Sequence, residues 1–119
     1  PGSSKYFMGG LVTYTNETKV QNGVSSTVIE QYGEISQEMA DAMADAARQR
    51  LGADVGIGIT GVAGPGERDN KPVGTVFISI RMDGKCKRIS LHLPSRRTVI
   101  KSRSTTTALV ELRRLINGG

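Results

Sequence analysis

Between Asp54 and Val76 the sequence reads DVGIGITGVAGPGERDNKPVGTV. Val55, Ile57 and Ile59 alternate with Gly56 and Gly58, so one face of a strand carries β-branched side chains while the other admits a helix at close range. Such a strand belongs inside a sheet. It runs into a loop bearing Gly61, Gly64, Pro65 and Gly66, then returns through Lys71-Pro72-Val73-Gly74 to a second strand pattern. A glycine-rich turn at a strand end either offers backbone N–H groups to an anionic or carbonyl ligand, or simply connects two strands. The lysine-bearing P-loop pattern is absent. The loop leads to a strand rather than a helix, which also excludes a dinucleotide fingerprint.

The remaining elements order themselves around this segment. Leu11 to Thr15 is a β-branched and aromatic run, expected as a strand, with Asn16 capping a short helical turn from Glu17 to Gln21. Lys19 would then lie just past a strand end, where open α/β sheets place ligands, although an ordinary surface lysine has the same spacing. Ser25 or Ser26 caps a second short helix ending at Gln31 or Tyr32. Ser36 caps the clearest helix, Gln37 to Leu51, stopped by Gly52, whose Met39, Met43, Ala46, Ala47 and Leu51 form a stripe for the Gly56/Gly58 face. Strand, helical crossover and strand predict parallel pairing of 11–15 with 54–60.

Val73 to Met82 and Lys85 to Leu93 flank Asp83-Gly84 and read as an antiparallel hairpin. Pro94 breaks the pattern, Ser95 caps, and Arg96 to Ile116 forms a final helix whose Val99, Ile100, Leu109, Leu112 and Ile116 face the sheet. The expected fold is one domain over residues 1–119, a three-layer α/β/α arrangement with a mixed, mainly parallel sheet and a C-terminal antiparallel hairpin.

Charge divides the chain. Residues 1–66 carry a balance of −3 and residues 67–119 a balance of +8 within the net +5. Arg96, Arg97, Lys101 and Arg103 crowd the start of the last helix, where the dipole is already positive, so an anion or acidic partner would relieve them. Two Phe, three Tyr and no Trp leave few stacking platforms, which argues against a nucleic-acid partner. No apolar run is long enough for a membrane span and no signal-peptide pattern is visible, so a cytoplasmic location is expected. One cysteine, Cys86, and one histidine, His92, cannot by themselves form a disulfide framework or a zinc site. Both lie in a strand pattern, where Cys86 reads as a structural thiol and His92 lacks a neighbouring nucleophile motif.

Five runs carry a resemblance to a known family: Pro1-Gly-Ser-Ser-Lys-Tyr-Phe7, Gly10-Leu-Val-Thr-Tyr-Thr-Asn-Glu-Thr-Lys19, Gly33-Glu-Ile-Ser36, Thr60-Gly-Val-Ala-Gly-Pro-Gly66 and Lys71-Pro-Val-Gly-Thr-Val76. In this order the sequence resembles the C-terminal domain of the competence/damage-inducible protein CinA, a family that includes nicotinamide-nucleotide amidases. The resemblance implies hydrolysis of nicotinamide mononucleotide to nicotinate mononucleotide and ammonia, with neither metal nor cofactor. It implies Lys19 as the activating base with Tyr14 beside it, Thr60, Gly61, Gly64 and Gly66 lining the substrate pocket, and Arg97 or Arg103 at the phosphate. The family's nucleophile looks to be the serine of an Ala-Glu-Ser-Cys-Thr-Gly-Gly motif. That motif is absent from these residues, and Ser3, Ser4 and Ser36 stand in no equivalent context.

The expectation is therefore a domain lacking an N-terminal strand-helix unit, represented in part or not catalytic as it stands. An uncovered strand edge would favour a homo-oligomer. A competing reading is a non-enzymatic module whose basic half meets a competence or DNA-repair partner, with a RecA-type ATPase as the candidate.

Overall fold

The computed structural model describes residues 5–93 and 96–118. The elements are α1 (Asn16–Gln21), α2 (Ser26–Tyr32), α3 (Gln37–Leu51), β1 (Val55–Gly61), β2 (Thr75–Met82), β3 (Lys85–His92) and α4 (Arg97–Ile116). The fold is α/β. Among the described residues the sheet has three strands in the order β1-β2-β3, with both pairings antiparallel. The Asp83-Gly84 turn joins β2 to β3 as expected, Gly84 taking φ +73.

α3 forms where its boundary residues dictate. The Ser36 hydroxyl accepts the Met39 N–H at 3.0 Å, and Gly52 ends the helix in the left-handed region. The glycine face of β1 sets how closely this helix lies. A Cβ at Gly58 would overlap the Ala40 carbonyl oxygen and come within 2.8 Å of the Ala44 nitrogen; one at Gly56 would overlap the Ala44 carbonyl oxygen. Ion pairs from α3 then reach across the sheet, Asp41 to Arg88, Asp45 to Arg81 and Arg48 to Asp83. The opposite face of the sheet presents Val76, Ile78 and Ile80 to Ile100 and Ala108 of α4.

Several expectations change. Residues 11–14 form no strand, so the parallel pairing with β1 does not occur and the described sheet is antiparallel rather than mainly parallel. The run has β propensity but pairs with no strand among the described residues: Leu11 and Thr13 are half-buried, while Val12 is 87% exposed and Tyr14 67%. Thr15 rather than Asn16 caps α1, its hydroxyl accepting the Thr18 N–H at 3.1 Å. The α3 positions against the glycines are Ala40, Ala44 and Arg48, while Met39 and Ala46 pack with Val24. On α4 the buried line is Ile100, Ser104 and Ala108, with Leu112 and Leu115 partly buried; Val99, Leu109 and Ile116 are exposed. The buried line thus runs through the small Ser104 and Ala108, with the larger Val99, Leu109 and Ile116 lying outside it.

Cys86 is exposed on β3 and takes no part in the core. The expected Pro94 break, the Ser95 cap and the run Pro1 to Ser4 lie outside the described residues. No described helix is long and apolar enough to cross a membrane.

Candidate functional site

α1 is short, but it places one lysine deliberately. Lys19 is 6% exposed, and its Nζ donates to the Thr13 carbonyl oxygen at 2.9 Å. Burial lowers the pKa of this amine below its ordinary value, Glu34 pulls it back up, and Arg68 adds a lesser downward push. A buried lysine of this kind gives up its proton more readily than one in water.

The amine opens onto a cavity of about 430 Å³ whose walls include Thr13, Tyr14, Glu34, Thr60, Gly61, Gly64, Gly66, Arg68 and Arg97. That volume lies within the range of small-molecule sites. The glycine loop after β1 forms one wall. Val62 is tied back by its N–H to Thr75 O at 2.9 Å and by its carbonyl to Gly74 N at 2.8 Å. Beyond it, among the described residues, no backbone bond uses the N–H groups of Ala63, Gly64 or Gly66, which leaves donors available to a ligand. Arg97 closes the far side, its Nη1 donating to Gly64 O at 3.1 Å.

Seven of the eight residues singled out in the sequence thus come together: Tyr14, Lys19, Thr60, Gly61, Gly64, Gly66 and Arg97. Thr60 is 9% exposed, and its hydroxyl is engaged in donating to Glu34 O at 2.7 Å, so its part is to hold the wall. Arg103 is not among the lining residues. It follows Arg97 by six positions, about 240° around the helix, and projects from another side.

Sequence reasoning passed over Glu34 and Arg68. Arg68 Nε donates to Glu34 Oε2 at 2.7 Å, and both side chains border the cavity. Arg68 to Lys71 form a tight turn, with a bridge between its ends and with Asp69 and Asn70 at φ 56 and 60. Asp69 Oδ2 accepts the Ile35 N–H at 3.2 Å, and Lys71 Nζ donates to Ile35 O at 3.1 Å. The Asp-Asn pair, two residue types that tolerate the left-handed region, was the available signal for the turn.

The family model described as CinA C-terminal domain matches residues 1–116. The chain belongs to the CinA C-terminal domain family. A CinA-like protein of Mycobacterium marinum is 48% identical over 120 residues, covering 98% of the chain, and one of Mycobacterium tuberculosis is 46% identical over 121 residues, covering 99%. The chain spans 28% of the length of each of these relatives. Among solved structures, a CinA superfamily protein of Escherichia coli superposes with a TM-score of 0.89 at 32% identity, covering 96% of this chain and 67% of that one. A competence/damage-inducible protein of Agrobacterium tumefaciens gives 0.83 at 33% identity, covering 89% and 67%. The α/β arrangement described above is therefore that of CinA domains.

Proposed function

We propose that this CinA domain supplies the base and the nucleotide pocket of an amidase that hydrolyses nicotinamide mononucleotide to nicotinate mononucleotide and ammonia. The observation that carries the reading is the buried Lys19 amine facing a cavity walled by the Thr60–Gly66 loop. Amide hydrolysis needs a base for the attacking hydroxyl, donors for the tetrahedral oxyanion and a cation for the phosphate. The Lys19 amine, whose pKa burial lowers, accepts the proton in its unprotonated form, and Tyr14 at the rim lies on the same approach. The unbonded N–H groups of the glycine loop face the oxyanion, and Arg97 meets the 5′-phosphate. No residue here is assigned as nucleophile, because the Ala-Glu-Ser-Cys-Thr-Gly-Gly motif is not in these 119 residues.

The finer fold expectation belongs to the same reading. Among the described residues β1 pairs on one side only, and an apolar groove of about 440 Å³ bordered by Met43, Leu51, Ile57 and Leu112 runs beside it. A further strand at that edge would complete a mixed, three-layer sheet; a second copy of the chain there would give the expected homo-oligomer. The test of function is ammonia release from nicotinamide mononucleotide by this domain joined to the serine-bearing unit, in the parent and in Lys19→Ala. A loss of at least about a hundredfold in the variant supports the reading. Absence of turnover in the parent contradicts it.

One observation favours a second reading. Arg96, Lys101 and Arg103 are exposed, and among the described residues none of them pairs with a carboxylate. A RecA-type partner with an acidic surface would engage them without any catalysis. Salt-sensitive co-purification abolished by reversing these charges, together with no thermal shift from the mononucleotide, would favour that module.

A further inference from the structure

A buried lysine that is to act as a base has one local hazard, a carboxylate close enough to capture it as an ammonium. Glu34 is such a carboxylate. Its side chain is 21% exposed, it borders the same cavity as Lys19, and it is the strongest charged influence on that amine. Yet the two are not paired: Lys19 Nζ bonds the Thr13 carbonyl oxygen, and Glu34 Oε2 takes its bond from Arg68. The tight turn of 68–71, anchored on Ile35 through Asp69 and Lys71, returns Arg68 to this position. Thr60 fixes the Glu34 backbone from the other side. Four bonds to Glu34 and Ile35 thus arrange one segment so that its acid points to an arginine rather than to the lysine.

We propose that Arg68 is a positioning residue of this site: by holding the Glu34 carboxylate it prevents a Lys19–Glu34 ion pair and leaves the lysine amine free to act on a bound amide. The inference deepens the amidase reading and rests on it for its catalytic meaning. The charged and titratable groups that face Lys19 across the cavity are Tyr14 from the segment before α1, Glu34 from the α2–α3 connection, Glu67 and Arg68 from the loop after β1, and Arg97 from α4. Of these, Glu34 and Arg68 are the two whose charges bear on the amine. Removing Arg68 leaves a partly buried carboxylate unpaired, and a protonated Lys19 on the same cavity, whose charge already interacts with it, can take its place.

The experiment reads the lysine itself and requires no turnover. Acetylation of Lys19 by a limiting acylating reagent is followed by peptide mass spectrometry from pH 6 to 10, with Lys5 and Lys85 as internal references, in the unaltered chain, Arg68→Gln, Arg68→Lys, Glu34→Gln and the double variant Glu34→Gln/Arg68→Gln. Arg68→Gln is expected to slow Lys19 acetylation about threefold or more at pH 8 and to move its profile to higher pH. Arg68→Lys is expected to restore the parent profile, Glu34→Gln to shift it to lower pH, and the double variant to recover the speed lost in Arg68→Gln, since no carboxylate remains to capture the amine. A purely structural Arg68 would make the double variant at least as impaired as the single one. That result, or an unchanged profile in Arg68→Gln, overturns the proposal. Titration of the unaltered chain with nicotinamide mononucleotide tests the underlying reading separately, because a chain can fail to bind the nucleotide while Lys19 still responds to Arg68.

Discussion

Replacing Gly58 by alanine adds one methyl group where, among the described glycines, the least room is left for it. The new carbon would overlap the carbonyl oxygen of Ala40 and stand 2.8 Å from the nitrogen of Ala44, where backbone carbon and oxygen ordinarily stay about 3.3 Å apart or more. Both obstacles are helix backbone, so no rotamer change can relieve the clash. α3 must move away from β1 by roughly 1 Å, loosening packing at the Asp41–Arg88 and Asp45–Arg81 bridges as well. Overpacking of this kind costs about 3 kcal/mol, a large share of the 5–15 kcal/mol that holds a typical domain folded. At about 4 °C per kcal/mol the melting temperature should fall by about 12 °C. The control is Gly66→Ala, where nothing lies within 4 Å of the added carbon and the change should stay within about 0.5 kcal/mol. Thermal melts of both variants by circular dichroism decide the matter. If Gly58→Ala melts within about 3 °C of Gly66→Ala, the close approach of α3 to the glycine strand is not what these residues provide.

Lys19 makes stability depend on pH in a defined direction: its folded amine binds a proton less tightly than the unfolded one, so stability rises as pH climbs from the folded value toward the ordinary 10.5. Urea midpoints of Lys19→Met should therefore exceed those of the parent most at pH 7 or below, with the gap narrowing toward pH 10; a constant gap would contradict the burial argument. Arg97→Gln should weaken nicotinamide mononucleotide binding about tenfold, measured calorimetrically, while leaving affinity for the phosphate-free riboside unchanged. For Asp41, burial pushes the carboxyl up, but the Arg88 bond, the Ser79 hydroxyl and the charges of Arg88 and Arg81 together outweigh it and hold the pKa below its ordinary range, so this stabilisation exists above about pH 4 and disappears as pH falls through the folded value. Arg88→Ala should cost no more than about 1 kcal/mol at pH 7, since Arg88 is half exposed, and the cost should shrink as the pH is taken below about 4 in urea titrations.

Local chemistry made much of the fold legible. Ser36 and Gly52 mark α3 because capping and a left-handed stop are decided by neighbouring atoms, and Asp83-Gly84 marks its hairpin for the same reason. The glycine alternation of Gly56 and Gly58 forecast a close helix, although the contacting residues proved to be Ala40, Ala44 and Arg48. What failed was whatever a distant partner decides. Leu11 to Thr15 has strand-forming side chains, yet a strand requires a neighbour to bond, and this run has none among the described residues. The face of α4 is likewise chosen by the sheet it packs on: the buried line is Ile100, Ser104 and Ala108, which a search for the larger apolar residues does not find.

The candidate site divides in the same way. Lys19, Tyr14 and the glycine loop stand out from their runs, and the fold brings them to one cavity. Arg97 and Arg103 were alternatives that only helix phase could separate. Glu34 and Arg68 are 34 residues apart, and nothing local announces their bond. It arises because a tight turn after β1 folds back on the segment preceding α3.

The amidase assignment meets its most direct trial in product analysis. The CinA domain, joined to a strand-helix unit that bears the family's serine motif, should convert nicotinamide mononucleotide to nicotinate mononucleotide with one ammonia released per turnover, and Lys19→Ala should lose at least about a hundredfold of that rate while still binding the nucleotide. Undiminished turnover in Lys19→Ala, or no ammonia from the parent under conditions where the nucleotide saturates it, would contradict the account.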